Sequence, residues 1–180
     1  MTDFIFVLGI LGALTLVSGA AYPVKAFSHP IRSTKNWLFA IGGFLMLIYA
    51  ILNFLYAEGA VFYILLQGLV NISSIMMLAK TDEHKASKII AVATACFILW
   101  SINLAQGTNV ILFILGLGGI ATGYVLKPGT SRRNLSLTIG SLFIVLFSYL
   151  VSDWIFFGLN SVFACFSGYY SLKLRNKNVK

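Results

Sequence analysis

Seven apolar stretches, 4–22, 37–55, 60–78, 89–105, 110–126, 135–152 and 154–172, account for most of this 180-residue chain. Each comes near the roughly 17–25 residues that a helix needs to cross a bilayer core. Only Ser152-Asp153 interrupts the last two, so hydropathy alone allows six spans or seven. The cations decide between them. Lys25, Arg32 and Lys35 fall in the first gap, Lys80, Lys85 and Lys88 in the third, and Lys127, Arg132 and Arg133 in the fifth. Lys173, Arg175, Lys177 and Lys180 lie in the tail, which completes the thirteen basic residues. Short cytoplasmic loops carry the Lys/Arg excess of membrane proteins. Seven spans, with the N-terminus outside and the C-terminus inside, put every cation on one side and leave Asp3, Glu58 and Asp153 on the other. Fusing the last two stretches would send the basic tail to the wrong side. The expectation is an all-α integral membrane protein with seven transmembrane helices, N-out and C-in.

Composition agrees. Residues are 59% hydrophobic and 10% charged, against about 25% charged in an ordinary soluble domain, so the chain cannot cover itself with a polar surface. The net charge of +8 marks the cytoplasmic face and meets anionic headgroups. The expected partner is the lipid bilayer, and no nucleic acid, since no soluble basic domain is present to bind one. Cys96 and Cys165 sit far apart inside apolar stretches and read as small buried hydrophobes. The first stretch lacks the basic flank of a signal peptide and reads as a retained span.

An internal repeat organises the spans. His29-Pro30-Ile31-Arg32-Ser33-Thr34-Lys35-Asn36-Trp37-Leu38-Phe39-Ala40-Ile41-Gly42-Gly43 returns without a gap, 98 residues on, as Lys127 to Ser141, with five of fifteen positions identical. Both copies run from a basic loop into an apolar helix. Pro30 with Pro128 and Asn36 with Asn134 mark the expected helix boundary. The same offset pairs Ser18-Gly19-Ala20-Ala21 with Gly116-Leu117-Gly118-Gly119, clusters of small residues that let helices approach closely in lipid. An odd linking helix then makes two three-helix units parallel, a 3+1+3 layout: 1–80 as the first unit, 81–109 as a linker with the inverting fourth helix, 110–174 as the second unit, and 175–180 as a basic cytoplasmic tail.

The unit resembles those of the SWEET and PQ-loop superfamily of small membrane transporters, including the bacterial YgjV-like inner-membrane group. Parallel three-helix repeats are the SWEET layout. Pro23 ends the first span, Ser33-Thr34-Lys35 begins at the tenth position after Pro23 with Arg32 just before it, and Gly42-Gly43, Tyr49 and Asn71 continue the unit. Ser131 to Leu137 looks like the same junction in the second unit. Val24 stands where the family has glutamine, and Ala121-Thr122 replaces Pro-Gln. The resemblance implies a bacterial inner-membrane location, a small polar solute as partner, and alternating access between the repeats, with Asn71 facing a central pocket.

Gln67, Asn71 and Ser74 are spaced i, i+4 and i+7 and share one face of the third span. Lipid cannot satisfy such a stripe, so it faces protein or a watery cavity. Pocket lining and interhelical hydrogen bonding are both open. In the seventh span, a five-residue gap aligns Asn160 with Gln67 and Ala164 with Asn71. Tyr49 pairs with Phe147; either the two wall a cavity or they pack the core. Pro23 either hinges a cytoplasmic gate or shapes the helix end. The candidate substrate-binding set is Asn71, Gln67, Ser74, Asn160 and Tyr49.

No paired carboxylates, metal-ligand spacing or nucleophile–base constellation stands out, so neither an enzyme nor a cofactor is expected. The expected function is transport of a small, polar, neutral, sugar-like solute. The alternatives are a membrane scaffold or interaction protein that keeps the fold without transport, and a nicotinamide-riboside-type carrier. A homo-oligomer is compatible with all three.

Overall fold

The computed structural model describes residues 2–22, 30–104 and 107–177. Among these residues it is all-helical: α1 (Thr2–Ala21), α2 (Thr34–Tyr56), α3 (Phe62–Leu78), α4 (Glu83–Asn103), α5 (Val110–Val125), α6 (Ser131–Leu150) and α7 (Trp154–Lys177), with one 3-10 turn at Pro30–Arg32. Five helices are long and apolar enough to cross a membrane, α1, α2, α4, α6 and α7, while α3 and α5 are apolar but shorter, at 17 and 16 residues. At 1.5 Å per residue these two are about 25 Å long, just short of a hydrocarbon core of about 30 Å.

Several helices run past their apolar stretches. Relative to those stretches, α2 begins three residues early, α4 six and α6 four, and α7 ends five late. Hydropathy marks where apolar surroundings end, and a helix needs only its backbone bonds to continue beyond that point. The overhangs carry Lys35, Lys85, Lys88, Arg132, Arg133, Lys173 and Arg175.

Asn36 and Asn134 do not mark the helix boundary. Both lie inside a first turn, and the caps are Ser33 and Thr130. Gly129, with φ of +78°, turns the chain into the α6 cap, where Thr130 Oγ1 accepts from the Arg133 amide at 3.3 Å and donates to the Lys127 carbonyl at 2.9 Å. An N-cap hydroxyl satisfies an orphan amide, so Thr130→Ala should lower stability by about 1 kcal/mol, measured as a shift in thermal unfolding of the detergent-solubilised protein. Asp82 caps α4 through the His84 and Lys85 amides, and Asp153 caps α7 through the Phe156 amide.

The chain divides into two compact units, Met1–Ala86 and Ser87–Lys180. In the first, α2 packs against both α1 and α3; in the second, α6 packs against both α5 and α7. Each central helix runs antiparallel to the first helix of its unit through glycines. A Cβ on Gly42 would lie 2.6 Å from the Leu16 nitrogen, and one on Gly140 2.5 Å from the Ile120 nitrogen. Opposite them, Gly12 and Gly19 of α1 meet α2, and Gly116 and Gly123 of α5 meet α6.

These contacts revise the alignment of the first helices. Gly42 and Gly140 are 98 apart, as the repeated string requires, but their partners Leu16 and Ile120 are 104 apart, as are Gly12 and Gly116 (against Met46 and Ile144) and Gly19 and Gly123 (against Phe39 and Leu137). The buried seams then match throughout, Gly9-Gly12-Leu16-Gly19 with Phe113-Gly116-Ile120-Gly123. The pairing of Ser18-Gly19-Ala20-Ala21 with Gly116-Leu117-Gly118-Gly119 is therefore off by six residues. The connection absorbs the difference, being long in the first unit (22–33) and short in the second (126–130).

The shared string also performs a local task. Lys35 Nζ donates to the Tyr22 and Ala20 carbonyls, at 3.2 and 3.5 Å, at the end of α1, where unpaired carbonyls and the helix dipole favour a cation. Its counterpart Arg133 lies near Tyr124, in the last turn of α5. Within each unit, these cations gather at the end where the first helix stops and the second begins.

Candidate functional site

In the first unit, the Gln67–Asn71–Ser74 face of α3 is turned toward α2. Asn71 Nδ2 donates to the Gly43 carbonyl of α2 at 2.9 Å and to the Gln67 carbonyl, one turn back, at 2.8 Å. That pair fixes the amide orientation, because the flipped amide would set its oxygen against two carbonyl oxygens. Asn71 Oδ1 is the end left over, without a hydrogen-bond partner among the described residues. Gln67 is 2% exposed, and its Oε1 has no partner. Ser74 is buried, and its hydroxyl is spent on the Val70 carbonyl. The face thus both binds a neighbouring helix and carries unpaired amide oxygens.

Tyr49 is buried on α2. The register that sets Gly12 beside Met46 brings Gly9 level with Tyr49. The matching pair in the second unit is Phe113 and Phe147, whose ring centroids are 5.4 Å apart. Phe147 is therefore core packing between α5 and α6, with a small residue and a tyrosine at the equivalent place in the first unit. Pro23 lies outside the described residues.

In the second unit, Asn160 of α7 is buried and donates to the Phe156 carbonyl one turn back at 2.9 Å. Thr138 of α6 faces Gly168 of α7, its Cγ2 3.6 Å from where a Cβ would sit. In antiparallel helices, moving three residues along α6 brings Ser141 level with Ala164 and Cys165. Ser141 is fully buried, and its hydroxyl has no partner. It occupies the position of Gly43, the residue that receives Asn71 in the first unit. The polar group at this depth comes from the third helix of one unit and from the middle helix of the other.

Sequence reasoning did not single out Ser141. The signal was present, because the gapless repeat already set Ser141 opposite Gly43 while the gapped one set Ala164 opposite Asn71. Reading the two substitutions together exposes the exchange. The buried set consists of amides and hydroxyls that hydrogen-bond without titrating. Among the described residues, no group of three or more His, Cys, Asp or Glu side chains comes together.

Comparisons of the chain with protein-family models, with curated proteins and with solved structures find no match.

Proposed function

We propose that the protein is a membrane transporter of a small, polar, neutral solute, sugar-like in its hydroxyl chemistry, with two three-helix units as its moving parts. In this reading the seven helices cross a bacterial inner membrane in a 3+1+3 order, with the N-terminus outside and the C-terminus in the cytoplasm. All thirteen cations then face the cytoplasm, as expected for short loops. The SWEET-like resemblance of the Ser33-Thr34-Lys35 and Ser131-Arg132-Arg133 junctions points the same way.

The observation that carries the proposal is a duplicated plan with buried, incompletely paired polar groups in both copies. Gln67 and Ser141 hold buried oxygens without partners. An unsatisfied polar atom away from water costs free energy, and a hydroxyl-bearing solute, both donor and acceptor, can meet it. The set contains no acid or base, which favours a neutral cargo over an ion and uncoupled movement over proton-driven movement.

The test is uptake by proteoliposomes across a panel of sugars, polyols and nucleosides. Saturable flux of at least one, several-fold above protein-free vesicles, is the expected result. Folded protein that moves none of them would instead support the second reading, a membrane scaffold or interaction protein. The bond between Asn71 and the Gly43 carbonyl favours that alternative, since it spends the asparagine on packing.

A further inference from the structure

The second unit carries a strongly one-signed end. Lys127 and Arg132 lie on the α5–α6 turn and at the start of α6, and Lys173 and Arg175 lie on the last turns of α7; all four are exposed. The only side-chain carboxylate of this unit is Asp153, at the opposite end of the α6–α7 pair. The first unit differs, because its cations share the chain with Asp82 and Glu83, and Lys35 is engaged by carbonyls.

The two basic segments are tied together. Ser131 Oγ donates to the Ser171 carbonyl at 3.0 Å, and Ser171 Oγ returns a bond to the Ser131 carbonyl at 3.2 Å. Arg132 and Lys173 flank this tie, one and two residues beyond it. Lys173 Nζ stands 5.7 Å from the centre of the exposed Tyr169 ring, an arrangement that holds a cation beside an amphipathic aromatic face.

What lies beyond the cations identifies the occupant. From Arg132, the same face of α6 continues through Leu135, Ile139 and Leu142, each about half exposed at 51%, 47% and 51%. Their spacing of three and four residues makes one continuous stripe. It starts at a guanidinium and rises about 15 Å, half the thickness of a hydrocarbon core. A soluble anion would use the cations and ignore the stripe, whereas a phospholipid uses both.

We infer that the α6–α7 pair holds one anionic phospholipid of the phosphatidylglycerol type, its phosphodiester between Arg132 and Lys173 and an acyl chain along Leu135, Ile139 and Leu142. A zwitterionic lipid is disfavoured, because its ammonium would be brought against the same cations. The site is independent of whether the protein transports anything.

The experiment is native mass spectrometry of the full-length protein in mild detergent, with phosphatidylglycerol and phosphatidylcholine present in equal amounts. The wild type should retain one phosphatidylglycerol about thirtyfold in preference to phosphatidylcholine, the factor expected when roughly 1 kcal/mol comes from each of the two cations. The double variant Arg132→Gln/Lys173→Gln should bring the ratio near one, and Lys80→Gln/Lys85→Gln should leave it unchanged. If the double variant does not keep the wild-type helix content by circular dichroism, each single substitution should still lower the preference several-fold. Equal retention of the two lipids by the wild type, or an equal loss in the Lys80/Lys85 control, overturns the inference. So does full competition by millimolar inorganic phosphate, which would mean a soluble-anion site.

Discussion

Gly140→Ala should destabilise the second unit by about 3 kcal/mol, the upper end of the range for overpacking a tight interface. A methyl at that position would lie 2.5 Å from the Ile120 nitrogen, 2.8 Å from the Gly116 oxygen and 2.8 Å from the Gly119 carbonyl carbon. All three are backbone atoms, which cannot rotate away, so the helices must separate and lose their contact over several turns. In lipid no hydrophobic force drives helices together, so close packing is a main force holding them. Gly42→Ala should do the same to the first unit through the Leu16 backbone. Gly118→Ala and Gly158→Ala are the controls, since nothing lies within 4 Å of a Cβ at either site. Thermal unfolding of the four variants in detergent, followed by circular dichroism, would separate them. Equal midpoints for Gly140→Ala and Gly118→Ala would refute the close approach.

If the protein transports a solute as proposed, Asn71→Ala should abolish uptake while leaving a folded protein. The substitution removes Oδ1 and the donor that ties α3 to α2, and leaves the Gly43 carbonyl short of one partner. Interhelical hydrogen bonds in membranes contribute on the order of 1 kcal/mol, so the helix content and the unfolding midpoint should fall only slightly. A variant with wild-type flux would remove Asn71 from the transport path. A variant that unfolds would assign it to packing.

The helix count was legible because an apolar run of 17 or more residues has few other uses, and the cations resolved the one doubtful break at Asp153. The helix ends were less legible, since apolarity stops at Leu135 while the backbone of α6 has already been helical since Ser131. The pairing of α1 with α5 was hidden for another reason. A buried seam constrains shape more than residue identity, so Gly9 can match Phe113 and Leu16 can match Ile120, and no identity search sees them. The gapless string at 29–43 then invited the wrong offset upstream of a loop that had changed length. Asn71 stood out because an amide in an apolar run is conspicuous. Ser141 did not, because serine is common in such helices and usually bonds its own backbone, as Ser101, Ser161 and Ser167 do here.

The interlocked glycines also have a mechanical meaning. If α1 slid along α2 by one turn, Leu16 would leave the notch at Gly42 and a side chain would be driven into backbone; the same holds for Ile120 and Gly140. The interlocked backbones oppose sliding, so each hairpin is stiff along its length. The third helix of the first unit is held differently. A Cβ on Gly43 would meet Val70 at 3.3 Å and the Asn71 amide at 3.6 Å; these contacts are with side chains, which can re-form one rotamer away. Compliance in the first unit is therefore concentrated at the seam of α2 with α3, where Gln67 and Asn71 lie.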